Sequence, residues 1–168
     1  MTKFVRLAAL AVATTLAATP AFAVPVNNGP VTATARIQKP LTLAKLTPTS
    51  DLDFGTIIVT GTDTVRLDPV AQTRVCGAVA NQTCQGAFTF AEYRVTGTNN
   101  QNVTVTKPDV SLSNGTDTLN LVLEGPNTVN LTNSGSTGAT FRIGGQIAIN
   151  EDVSEGTYTG DLAITVEY

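Results

Sequence analysis

Histidine and tryptophan are absent from this 168-residue chain, methionine occurs once, and aromatic residues make up 5% of it. Without histidine, nucleophilic catalysis of the Ser-His-acid or Cys-His kind has no base. Metal sites built on imidazole are closed off for the same reason. No G-x-S-x-G elbow, H-E-x-x-H pair or phosphate-cradling glycine loop occurs either. Positive charge is scarce: 10 Lys and Arg stand against 13 Asp and Glu. The lack of a basic cluster to neutralise phosphates or attract lipid headgroups argues against nucleic acids and disfavours anionic membrane surfaces as partners. Cysteine occurs twice, Cys76 and Cys84 in RVCGAVANQTCQG, without the C-x-x-C spacing of redox sites.

Long hydrophobic runs are missing except at the start. MTKFVRLAALAVATTLAATPAFA places Lys3 and Arg6 before an apolar stretch from Leu7 to Ala18, then Pro20 and the small-x-small triplet Ala21-Phe22-Ala23. The stretch is short of the roughly 20 residues a spanning helix needs, so residues 1–23 read as a secretory signal peptide cleaved after Ala23. A mature chain without a membrane span is expected, secreted to the periplasm or the bacterial cell surface. Removal of the signal leaves 8 basic against 13 acidic residues. In an exported chain an even cysteine count favours a disulfide, and Cys76–Cys84 would close a short loop as a local clamp.

What remains is roughly 145 residues, one domain's worth, rich in Thr and Asn and patterned with a period of two. Candidate strands run over 33–46, 52–59, 64–67, 87–95, 102–106, 118–123, 128–131, 139–149 and 157–168, separated by turn residues such as Asn114-Gly-Thr-Asp and Gly125-Pro-Asn. Many short strands at this spacing predict an all-β antiparallel sandwich or barrel. Residues 24–32 read as a flexible leader and 33–168 as a single domain. Pro40 removes a ladder donor from the first strand, which makes it an interrupted edge strand. In TFRIGGQIAI, Phe141, Ile143, Ile147 and Ile149 keep one face across Gly144-Gly145; a bend in one long strand is the reading, a hairpin the alternative.

Two acidic pairs, Asp51 with Asp53 and Glu151 with Asp152, are the remaining candidates for chemistry. A glycosidase or a calcium site needs such carboxylates, but neither pair has the ligand order of a calcium loop, and both read as solvated turn residues. No catalytic, metal or cofactor-binding residue is assigned, and no cofactor is expected. The Asn-x-Thr triplets at Asn81, Asn102, Asn114 and Asn130 follow from composition.

The chain closes on GTYTGDLAITVEY, with Tyr158, Leu162, Ile164, Val166 and Tyr168 on even positions and polar residues on most odd ones. This is a strand with one wet face. Together with TARIQKPLTLAKL, DLDFGTIIV and the central cysteine pair, it resembles the bacterial secreted family catalogued as domain of unknown function 4402. The resemblance covers most of residues 33–168, and its anchors are Pro40, Phe54-Gly55, Gly156, Tyr158, Gly160, Val166 and Tyr168. More distantly, LDFG and GTY…ITVEY are similar to spore coat U type proteins and chaperone-usher pilins. That likeness implies an immunoglobulin-like, pilin-like β-sandwich assembled into surface fibres. In pilins a Gly and an aromatic residue twelve apart mark the final strand engaged by a chaperone and then by the neighbouring subunit; Gly156 and Tyr168 have that spacing.

The functional expectation is a non-enzymatic structural or adhesive surface protein, a pilin-like fibre subunit assembled by β-strand donation. Its partners would be further copies of itself or a periplasmic chaperone. Val31, Ala33, Ala35 and Ile37 alternate in step and form the candidate donor strand, although the same residues also suit the domain's own first strand. The alternative is a monomeric extracellular binding module for carbohydrate or protein, using Asn99, Asn100, Asn133 and Ser134; Tyr93 is its one candidate aromatic platform.

Overall fold

The structure is a computed structural model that describes residues 29–47, 51–77, 82–132 and 137–168. The signal sequence, residues 24–28, Asn81, Asn133 and Ser134 lie outside the described residues. The chain divides into a leading unit, residues 1–35, and a main unit, residues 36–168. In the leading unit, residues 29–35 carry no regular element and are exposed.

The main unit is all-β. Its described strands are β1 (Thr42–Lys45), β2 (Thr56–Val59), β3 (Asp63–Asp68), β4 (Thr73–Cys76), β5 (Gln82–Gln85), β6 (Ala91–Thr96), β7 (Asn102–Thr106), β8 (Val110–Ser113), β9 (Thr118–Glu124), β10 (Thr128–Asn130), β11 (Ala139–Ile149) and β12 (Thr165–Glu167). All pairings are antiparallel. The largest sheet runs β1-β6-β11-β3-β4, with β9 also on β11 and β8 on β9, and curls into a half-barrel. A second sheet is ordered β10-β7-β12, and a third pairs β2 with β5.

Strand β11 organises this arrangement. Its first half, Ala139–Ile143, pairs with β6, and its second half pairs with both β3 and β9. The change of partners falls at Gly144-Gly145, which lie within one continuous strand and not in a hairpin. Glycine is required there by proximity. A Cβ on Gly144 would run into the carbonyl of Leu67 and stand 2.9 Å from Pro69 Cδ, and one on Gly145 would stand 2.7 Å from the carbonyl of Val122. Phe141, Ile143, Ile147 and Ile149 are buried, as the period of two requires. They share a single core with Val65 and Leu67 of β3, Ala91 and Val95 of β6, Leu121 and Leu123 of β9, and Val103, Val105 and Val129 of the second sheet.

Two strands are shorter than their patterns suggest. The first, expected over 33–46, is regular only over Thr42–Lys45, at the sheet's edge beside β6. Pro40 lacks the N–H that a ladder needs and restricts the residue before it, so pairing starts beyond it. Ile37, placed by the alternation in that strand, is 91% exposed. The last, expected over 157–168, forms a ladder only over Thr165–Glu167, with a single bridge from Thr159 to Ser113.

Candidate functional site

The terminal segment keeps its alternation despite its short ladder. Tyr158, Leu162, Ile164 and Val166 are half-buried, and every odd residue from Thr157 to Glu167 is exposed. Val166 stands opposite Val105 of β7. Two glycines fit the segment to its neighbours. Gly156 has φ +141°, in the region that side chains avoid. A Cβ on Gly160 would stand 2.8 Å from the carbonyl of Ser111 in β8. The Tyr158 hydroxyl donates to the carbonyl of Ser154 (2.8 Å). Tyr168 anchors the far end: its phenol donates to the carbonyl of Lys39 (2.6 Å) and accepts from the amide of Thr98 (2.7 Å). Thr98 Oγ1 in turn accepts from the amide of Lys39 (2.6 Å). Within the main unit the chain around Lys39 is thus fastened to the final residue.

Beside this segment the apolar interior is open. A groove of about 650 Å³ has the buried Ile147 and Ile149 of β11 on its floor. Its walls carry the half-buried Ile57 and Val59 of β2 on one side and Leu112, Leu119, Val153 and Tyr158 on the other. A smaller space of about 220 Å³ continues it between Leu52 and Leu162, sharing Leu112 and Tyr158. Strand β2 pairs with β5 along one edge and with no described strand along the other. Asp53, Glu151 and Glu155 stand at the groove's margin.

The Val153–Tyr158 wall is held by polar groups that the sequence pattern did not single out. Asn114 Oδ1 accepts from the amides of Thr116 (2.9 Å) and Asp117 (2.7 Å), while its Nδ2 donates to the carbonyl of Glu155 (3.2 Å). Asp117 Oδ2 accepts from the amide of Ser154 (2.8 Å) and from its hydroxyl. The Ser154 hydroxyl, followed by its amide, holds the Asp117 carboxyl below its ordinary value of 3.8. The Asn-Gly-Thr-Asp composition signalled a turn, but nothing local reveals a partner in Ser154. Behind the start of β2, outside the groove's lining, the Arg74 guanidinium donates to the carbonyls of Phe54 (2.8 Å), Gln85 (3.2 Å) and Gly86 (3.2 Å) and lies over the Phe88 ring. It joins β4 to one end of the β2–β5 pair, where the start of β2 meets the end of β5.

Cys76, at the end of β4, and Cys84, in β5, form a disulfide with Cα atoms 5.9 Å apart. Local in sequence, it nonetheless links the half-barrel sheet to the two-stranded one. The carboxylates take turn roles: Asp53 Oδ1 accepts from the amide of Gly55 (2.8 Å), Asp51 pairs with Lys45, and Glu151 and Asp152 lie exposed in a turn. Tyr93 stacks on Phe141 with ring centroids 5.6 Å apart, and burial raises its phenol pKa. Its ring therefore belongs to the packing between β6 and β11. Asn100 adopts φ 57° and donates its amide to the carbonyl of Leu131 (2.7 Å). The candidate donor residues Val31, Ala33, Ala35 and Ile37 are exposed and in no strand.

The fold and the groove define an all-β domain of antiparallel sheets with an open groove beside β2, whose outer edge has no partner strand among the described residues. Residues 44–168 match the family described as Domain of unknown function (DUF4402), and the chain belongs to that family. No curated protein and no solved structure matches it.

Proposed function

We propose that this protein is a non-enzymatic structural or adhesive subunit, exported to the periplasm or the bacterial surface, whose immunoglobulin-like sandwich is completed by a β-strand from a neighbouring copy. The observation that carries the reading is the edge of β2 that pairs with no described strand, beside the groove lined by Ile147 and Ile149. Apolar side chains beside an edge strand are what strand addition uses: ladder hydrogen bonds supply affinity, and pockets for alternate side chains supply specificity. Before assembly, a periplasmic chaperone covering the same edge would protect the subunit from aggregation. The absence of histidine and the engagement of Asp53 and Asp51 in a turn and an ion pair support a role without catalysis.

A second reading, a monomeric module that binds a carbohydrate or protein ligand, draws on the groove's size, which lies within the range of ligand sites. The stacking of Tyr93 on Phe141 weighs against a sugar platform there. Negative-stain imaging and light scattering of native material separate the two. Fibres or concentration-dependent oligomers are expected; single particles of monomer mass at all concentrations would favour the binding module.

A further inference from the structure

One copy of the chain displays two uncovered features that complement each other. The first is the groove along β2. The second is the stretch Pro30–Gln38, PVTATARIQ, which carries no regular element and in which Val31 is 89% and Ile37 91% exposed. Side chains two apart share one face of an extended chain. Val31, Ala33, Ala35 and Ile37 therefore form one apolar face, with Thr32, Thr34 and Arg36 on the other. Branched residues at the ends and alanines between them make a strand slim enough to lie between two walls.

We infer that the groove beside β2 is the acceptor for residues 31–37 of a second copy, with Val31, Ala33, Ala35 and Ile37 facing Ile147 and Ile149 and the donated backbone pairing with the free edge of β2. This deepens the assembly reading above and rests on it. Charge agrees with the pairing. Residues 24–39 contain Arg36 and Lys39 and no acid, within a chain whose acids outnumber its bases, and the margin of the groove carries Asp53, Glu151 and Glu155. Ile37 belongs to the same unit as the groove and is not among the residues lining it. Lys39 is attached to Tyr168 and Thr98, and the Arg36 guanidinium donates to Gln101 Oε1, a bond that donation of residues 31–37 would break.

The test uses the full chain and two leader variants of equal charge, Ala35→Asp and Thr34→Asp. Both sites are exposed, so neither substitution disturbs the fold. Light scattering across a concentration series reads self-association, and hydrogen exchange reads the outward-facing amides of Thr56–Val59. A synthetic Pro30–Gln38 peptide is the competitor. Ala35→Asp is expected to weaken association at least about tenfold, because an unpaired carboxylate would be buried against Ile147 and Ile149, while Thr34→Asp, whose carboxylate stays in water and meets only the acidic margin, weakens it far less. The β2 amides should be protected in oligomers, and the peptide should both dissociate oligomers and protect β2 itself. Oligomers indifferent to Ala35→Asp, or oligomers whose β2 amides exchange freely, would overturn the donor or the groove while leaving assembly standing. A chain that stays monomeric at every concentration overturns this inference and the assembly reading together, whether or not the peptide binds.

Discussion

The phenol of Tyr168 ties together three stretches of chain remote in sequence with a single hydroxyl. Tyr168→Phe removes these bonds, together with the 3.1 Å contact to Thr98 Oγ1, and leaves the ring in place. Stability measured by urea unfolding should fall by about 1 kcal/mol, the usual worth of such bonds at a partly exposed site; an unchanged midpoint would mean that water replaces them without cost. Asp117 gives a second test at this scale. Its folded pKa is depressed by Ser154, so its contribution is present above the ordinary value of 3.8 and is lost as pH falls through the lower folded value. Ser154→Ala should flatten the acid limb of the stability profile below roughly pH 4. An acid limb identical to that of the parent would show that Asp117 does not carry it.

Among the elements, β11 and the terminal segment differ in how deeply they are buried, and the same substitution should expose the difference. Ile143 is fully buried whereas Ile164 is half-buried. Ile143→Lys should cost more than about 4 kcal/mol or prevent folding, since it buries an unpaired charge. Ile164→Lys should cost about 1–2 kcal/mol, because lysine can run its stem along the apolar face and keep its ammonium in water. Thermal melts of equal depression in the two variants would place Ile164 deeper than it stands here. Gly144→Val would press a branched side chain against Leu67 and Pro69, with an expected loss of roughly 3 kcal/mol. Strands with one largely buried face, such as β3, β7, β9 and β11, were legible in the sequence because alternation is a record of burial. The strands β4 and β5 left no such record: in TRVC and QTCQ polar residues predominate, half of each strand is exposed, the buried residue of β5 is the polar Gln82, and a disulfide and Arg74 help to hold them. Residues 33–41 mislead for the opposite reason. Their alternation specifies a face but supplies no partner edge, and Pro40 denies them the one beside β6. The groove could not be read from the sequence at all, since it lies between Leu52–Val59 and Val153–Leu162, segments about a hundred residues apart.

For the molecule as a whole, the Cys76–Cys84 bond fastens the small sheet that bears the groove to the large sheet that bears the core. Reducing it, or replacing both cysteines by serine, should cost about 2 kcal/mol. The loss should be uneven: amides of β2 and β5 should exchange faster while those of β11 keep their protection, as expected for a subglobal opening. Uniform acceleration across all sheets would show that the two parts open as one. The central place of β11 has a consequence in time as well. Its partners β3, β6 and β9 come earlier in the chain, and β3 precedes it by more than seventy residues, so each has an edge waiting for a strand that is made after them. Loop closure over such distances is slow, which places refolding in the millisecond-to-second range. Until β11 docks, three apolar edges lie open together, and it is in that interval, before any mature surface exists, that the chain is most exposed to misassociation.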